Sequence, residues 1–146
     1  MESENMYETK IKLLNDCCKP DYKTLAAAAA DCLANINSSV TLQPMERKLI
    51  PLGFALEMPK GMKAMIKPRS GLSSKGIIVW VGTIDNDYRG EVKASVMNLS
   101  GEPYEIHPYE RIAQIEFEPY IQMMLKPVKE LGATERGEGG FGSTGK

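Results

Sequence analysis

Residues 62–81 read MKAMIKPRSGLSSKGIIVWV. Met62, Ala64 and Ile66 alternate with Lys63, Met65 and Lys67, the period of a strand with one face buried and the other wet. Pro68 breaks that pattern, and Ser70-Gly71-Leu72-Ser73-Ser74 then suits a single helical turn with Ser70 as its N-cap. Ile77-Ile78-Val79-Trp80-Val81 follows as a continuous apolar run, the pattern of a strand covered on both faces.

The same grammar extends in both directions. Val92, Ala94 and Val96 alternate with Lys93 and Ser95, and Ile115 and Phe117 with Glu116 and Glu118. Breakers at Pro51, Pro59-Lys60-Gly61, Asn98 through Gly101, Pro108, Pro119 and Pro127 separate these elements. Many short strands so divided predict an all-β antiparallel sandwich or barrel. Leu25 through Ala30, nearly all alanine, runs against this by helix propensity, although so short a run cannot sustain a helix alone. No internal repeat, heptad run or linker divides the chain.

A length of 146 residues suits one domain with its own core. The net charge of −1 lacks the basic face that direct nucleic-acid binding needs. No apolar stretch approaches a membrane span, and MESENMYETK lacks the basic-then-apolar layout of a signal peptide. Cys17, Cys18 and Cys32 give neither a disulfide framework nor metal-ligand spacing; reduced thiols in a cytoplasmic protein are the expectation. His107 stands alone, which argues against a histidine-built metal site or a Ser-His-Asp triad within one chain.

Three polar clusters stand out. Pro68-Arg69-Ser70-Gly71 sets a guanidinium, a hydroxyl and a flexible backbone before the helical turn, which suits an oxyanion or phosphate; a plain strand end with a capped turn is the other reading. GTIDNDYRGE, residues 82–91, carries Asp85, Asp87, Tyr88 and Arg89 on a tight turn, and solvated turn acids are its plainer meaning. RGEGGFGSTGK, residues 136–146, is glycine-rich with hydroxyls and reads either as a phosphate cradle or as a loose tail. Gly140 and Gly145-Lys146 have P-loop spacing, but a P-loop opens a helix and no residue follows to form one.

Taken together and in order, AAAADCLA (27–34), PRSGL (68–72), GTIDNDYRGE (82–91), ERIAQIEFEP (110–119) and RGEGGFGSTG (136–145) resemble the five motifs of the trimeric dUTP diphosphatase (dUTPase) family. The resemblance covers nearly the whole chain from about residue 8. It implies a distorted jelly-roll or β-barrel over residues 1–135, with no helix in the alanine run. It also implies a mobile arm over 136–146 that closes on a neighbouring site in a homotrimer. The implied reaction takes dUTP to dUMP and pyrophosphate with magnesium, limiting uracil in DNA and supplying dUMP for dTMP synthesis.

By the same resemblance, Asp85 orients the attacking water against the α-phosphorus, and Asp31 meets magnesium through water. Arg69, Ser70, Gly71 and Gln114 grip phosphate oxygens. Gly82, Ile84 and Tyr88 hold the nucleoside, with Tyr88 excluding a 2′-hydroxyl. Arg136 meets the γ-phosphate, Phe141 covers the base, and Gly142, Ser143 and Thr144 donate hydrogen bonds. One departure stands out: the family's longer uracil-reading hairpin between the second and third motifs is shortened here to SSKGIIVWV (73–81). Trp80 is then either a core strand residue, the preferred reading, or a substitute for the hairpin tip. Two alternatives accompany the enzyme. One is a dCTP deaminase, which needs a glutamate where Ser95 stands. The other is a dUTPase-fold nucleotide-binding or regulatory protein with weakened catalysis or altered base preference.

Overall fold

In a computed structural model that describes residues 7–145, those residues form eleven strands, one α-helical turn and a short 3-10 turn at Asp16–Cys18. The first six are β1 (Lys10–Leu13), β2 (Ala30–Leu33), β3 (Val40–Leu42), β4 (Arg47–Pro51), β5 (Phe54–Glu57) and β6 (Met62–Lys67). After α1 (Ser70–Ser73) come β7 (Ile77–Val79), β8 (Gly82–Ile84), β9 (Lys93–Asn98), β10 (Tyr104–Ile106) and β11 (Arg111–Pro119). The reading of the extreme N-terminus, and of Lys146 in the P-loop near-match, falls outside the described residues.

Every pairing is antiparallel. Four strands order as β2-β11-β6-β8, three as β4-β9-β7, and β1-β5 and β10-β3 are two-stranded ribbons. The alternation holds where it is strict. Ala64 and Ile66, Ala94 and Val96, and Ile115 point into one core with Phe54, Leu42 and Leu52. That core is what makes so many short strands stable, because none could bury its apolar face alone. Asn98 is buried at the end of β9 with its amide fully used. Its Nδ2 donates to the Leu42 and Glu102 carbonyls at 2.9 and 2.7 Å, and its Oδ1 accepts from the backbone and hydroxyl of Ser100.

One expectation holds and two change. The alanine run forms bends and a turn, entering β2 only at Ala30, so tertiary context overrides propensity there as the resemblance implied. Arg69, with extended φ and ψ, occupies the N-cap position and Ser70 is the first helical residue, its hydroxyl making no cap bond. The run from Ile77 is not one buried strand. β7 stops at Val79, and Trp80 and Val81 are 54% and 57% exposed. The cause is a change of sheet: β7 pairs with β9 whereas β8 pairs with β6. The two residues between them cross from one sheet to the other, and their side chains leave the core. No helix among the described residues is long and apolar enough to cross a membrane.

Candidate active site

β8 delivers Asp85 to the surface from a buried anchor at Ile84, and the next residues fold into a turn closed by the Tyr88 N–H on the Asp85 carbonyl at 3.1 Å. Two side chains tie this turn to β5 and to the loop that leads from it into β6. Asn86 Nδ2 donates to the carbonyls of Pro59 and Met62 at 2.9 and 2.8 Å, and Arg89 Nη1 donates to the Leu56 carbonyl at 3.4 Å as well as to the Asn86 carbonyl, within the turn, at 2.7 Å. Glu91 ties the far side, its Oε2 accepting from the Gly53 N–H at 2.9 Å and from Asn35 Nδ2 at 3.1 Å. A carboxylate on a turn so tethered is held in place without being covered.

Tyr88 is seated by its neighbours. Its hydroxyl donates to the Glu91 carbonyl at 2.9 Å. A Cβ added at Gly90 would lie 2.4 Å from Oη and 2.6 Å from Cζ. Only glycine leaves room for the ring there.

Asp85 and Tyr88 line a cavity of about 380 Å³ together with Gly82, Thr83 and Ile84 from β8, Trp80 and Val81 from the crossing, Leu49 from β4, and Lys93 and Ser95 from β9. The crossing is pinned to β9 by the Trp80 N–H on the Ser95 carbonyl at 3.0 Å. Trp80 therefore walls the cleft, and the preferred reading of it as a core residue is overturned. Leu49, Lys93 and Ser95 were not foreseen as cleft residues. Their only sequence signal is the outward phase of β4 and β9, which becomes informative once Leu49 is known to face Ser95 across the ladder. A larger cavity of about 820 Å³ lies by Ile11, Tyr22, Leu56 and Phe117, but no carboxylate among the described residues lines it.

The second cluster forms where β2 meets β11. Arg69 Nε donates to Asp31 Oδ1 at 3.2 Å, and Arg111 Nη1 lies 3.5 Å from Asp31 Oδ2. Gln114 Nε2 donates to the Pro68 carbonyl at 2.8 Å, fixing the turn that carries Arg69, Ser70 and Gly71. None of these residues lines the Asp85 cleft within one chain. The structure thus brings Gly82, Ile84, Asp85 and Tyr88 together, and separately Asp31, Arg69 and Gln114 beside Ser70 and Gly71. Cys32, next to Asp31, is fully buried; burial first, then the charge of Asp31, raises its thiol pKa, so it stays protonated and inert as a nucleophile.

No three His, Cys, Asp or Glu side chains gather into a ligand set among the described residues. Asp31 already faces two guanidiniums, yet each carboxylate oxygen keeps a lone pair for water. This donor set fits magnesium whose ligands are chiefly phosphate oxygens and water.

Beyond β11 the chain runs exposed and without strand pairing through Ile121, Met123, Met124, Leu125, Val128 and Leu131. Residues 136–145 are a string of turns: Arg136 Nε donates to the Gly139 carbonyl at 2.7 Å, and the Ser143 N–H to that of Gly140 at 3.0 Å. Phe141 is fully exposed, with Gly142, Ser143 and Thr144 exposed beside it. Nothing in the single chain gathers these residues to the cleft.

The dUTPase family model matches residues 20–145. The deoxyuridine 5′-triphosphate nucleotidohydrolase of Fusobacterium nucleatum is 47% identical over 130 residues, spanning 87% of this chain and 89% of its own. That of Finegoldia magna is 43% identical across 93% of this chain and 99% of its own. Among solved structures, the Staphylococcus bacteriophage 80alpha dUTPase with dUpNHpp superposes with a TM-score of 0.87 at 27% identity, covering 97% of this chain and all of that one.

Proposed function

The chain belongs to the dUTPase family, and from that premise we propose that its cleft hydrolyses dUTP to dUMP and pyrophosphate. The observation that carries this reading is Asp85 and Tyr88 on one tethered turn at the mouth of a nucleoside-sized cleft. Water is a weak nucleophile and a triphosphate repels it, so a site must orient and deprotonate the water while offsetting charge. Asp85 takes the water's proton as its oxygen bonds to the α-phosphorus, and the bond from that phosphorus to the bridging oxygen breaks to release pyrophosphate. Asp31 would reach magnesium through water, and the ion would supply charge neutralisation on the triphosphate. Arg69, the Ser70 hydroxyl, the Gly71 backbone and Gln114 bind phosphate oxygens. Gly82 and Ile84 carry the backbone that meets the nucleoside, while Trp80 and Val81 replace the longer uracil hairpin.

The phosphate-gripping turn and the Asp85 cleft lie apart in one chain, and the arm makes only local bonds. Both features favour a homotrimer in which residues 136–146 of one protomer, through Arg136, Phe141, Gly142, Ser143 and Thr144, close a site built by others. We assign the enzyme to the cytoplasm, in keeping with three free thiols. A deaminase is disfavoured because Glu91, the other acid of the cleft, has Oε2 committed to Gly53 and Asn35. Pyrophosphate release from each dNTP tests the reading. Turnover of dUTP is the expected result; ammonia from dCTP, or saturable binding without turnover, would replace it.

Sugar selection gives a second expected result. Tyr88→Ala opens the wall against the ribose and admits UTP. Gly90→Ala, which drives a Cβ into the Tyr88 ring, narrows the dUTP-over-UTP ratio of kcat/KM in the same direction, by on the order of tenfold or more. An unchanged ratio in both variants would place ribose exclusion away from Tyr88.

A further inference from the structure

We propose that Arg111 is a positioning residue for phosphate binding, acting through Asp31 and its own carbonyl to fix the guanidinium of Arg69. The proposal rests on the reading of Arg69 as a phosphate ligand. Its starting point is an irregularity in β11. Arg111 opposes Leu33 on β2, but Ala113 opposes Cys32 and Gln114 opposes Asp31, so β11 carries one extra residue between Arg111 and Ala113. In a regular strand Arg111 would share the inward face of Ala113 and Ile115. The bulge puts Ile112 and Ala113 consecutively into the core and turns Arg111 out onto the face of Asp31 and Gln114. Bulges re-aim side chains in this way, frequently beside functional sites.

The re-aimed arginine completes a frame. Asp31, only 12% exposed at its side chain, has Oδ1 on Arg69 Nε at 3.2 Å and Oδ2 facing Arg111 Nη1 at 3.5 Å. Arg69 Nη1 donates to the Arg111 carbonyl at 2.9 Å. The guanidinium of Arg69 is thereby held along two of its nitrogens, and its Nη2 has no protein partner among the described residues. A planar fork pinned on one side presents its remaining donors in a set direction, which suits an anion better than a free side chain does. Two guanidiniums on one carboxylate also leave a net positive charge at the spot. Replacing the Arg111 side chain keeps the carbonyl of residue 111 on Arg69 Nη1 but takes the partner from Asp31 Oδ2, so the carboxylate that fixes Arg69 Nε is free to swing.

A double-mutant cycle tests this. Arg69→Ala, Arg111→Ala and the double variant are compared for kcat, KM for dUTP and Tm. The expected result is a KM raised roughly tenfold in Arg111→Ala with kcat and Tm little changed. Arg111→Lys recovers part of the loss. In the Arg69→Ala background, Arg111→Ala adds nothing further, since it acts through the missing residue. Losses that multiply in the double variant, or an unchanged KM in Arg111→Ala, would overturn the proposal. A KM loss matched by a fall in Tm and not relieved by lysine would assign Arg111 a purely structural part and overturn it too. If Arg69→Ala itself leaves KM untouched, the phosphate-binding role of Arg69 fails first, a result separable from the others.

Discussion

Asp85→Asn lowers the rate of dUTP turnover by roughly 10²- to 10⁴-fold, the usual contribution of a positioned general base, while nucleotide binding survives. The exchange keeps size and shape. The backbone carbonyl of residue 85 still accepts the Tyr88 N–H, and the tethers at Asn86, Arg89 and Glu91 are untouched. Only the ability to take a proton from water is removed. Single-turnover pyrophosphate release, measured beside equilibrium binding of a non-hydrolysable dUTP analogue, separates the two effects. Wild-type turnover in that variant would strip Asp85 of its role, and lost binding would recast it as a substrate ligand.

Truncation after Glu135 lowers kcat/KM for dUTP by on the order of 10²-fold or more, since an arm that completes and dries a site governs both positioning and water access. Stability does not follow. Residues 136–145 are almost entirely exposed and bond among themselves or to Thr134, so the core loses nothing and Tm stays within about a degree or two of the intact protein. Added arm peptide at high concentration should recover part of the rate. An unchanged kcat/KM after truncation would leave the glycine-rich end without a catalytic part.

The strands were legible because their signal is local. Period-two alternation at Met62–Lys67, Val92–Val96 and Ile115–Phe117 depends only on one face being buried, and each such residue points as expected. Asp85, Tyr88 and their neighbours on β8 could likewise be picked out, since they share one short stretch of chain. What escaped depends on partners distant in sequence. Trp80 and Val81 looked like buried strand because apolar runs carry no mark of where a chain changes sheets. Lys93, Ser95 and Leu49 join the cleft only through the β4–β9 register. Arg111 has the wrong parity until the bulge shifts it, and no residue type in ERIAQ announces that insertion. Ser70 missed the cap by one position because Arg69 supplies the extended backbone that starts the turn.

The wet apolar ribbon after β11 bears on the life of a freshly made subunit. Covering Ile121, Met123, Met124, Leu125, Val128 and Leu131 is worth roughly 1.5–3 kcal/mol per side chain, on the order of 10 kcal/mol in all. That is comparable with the ~4–15 kcal/mol of lost freedom that association opposes. A solitary copy leaves this apolar area in water, open to non-specific contacts. In the homotrimer proposed above, covering this segment would offset much of that cost and so oppose dissociation on dilution.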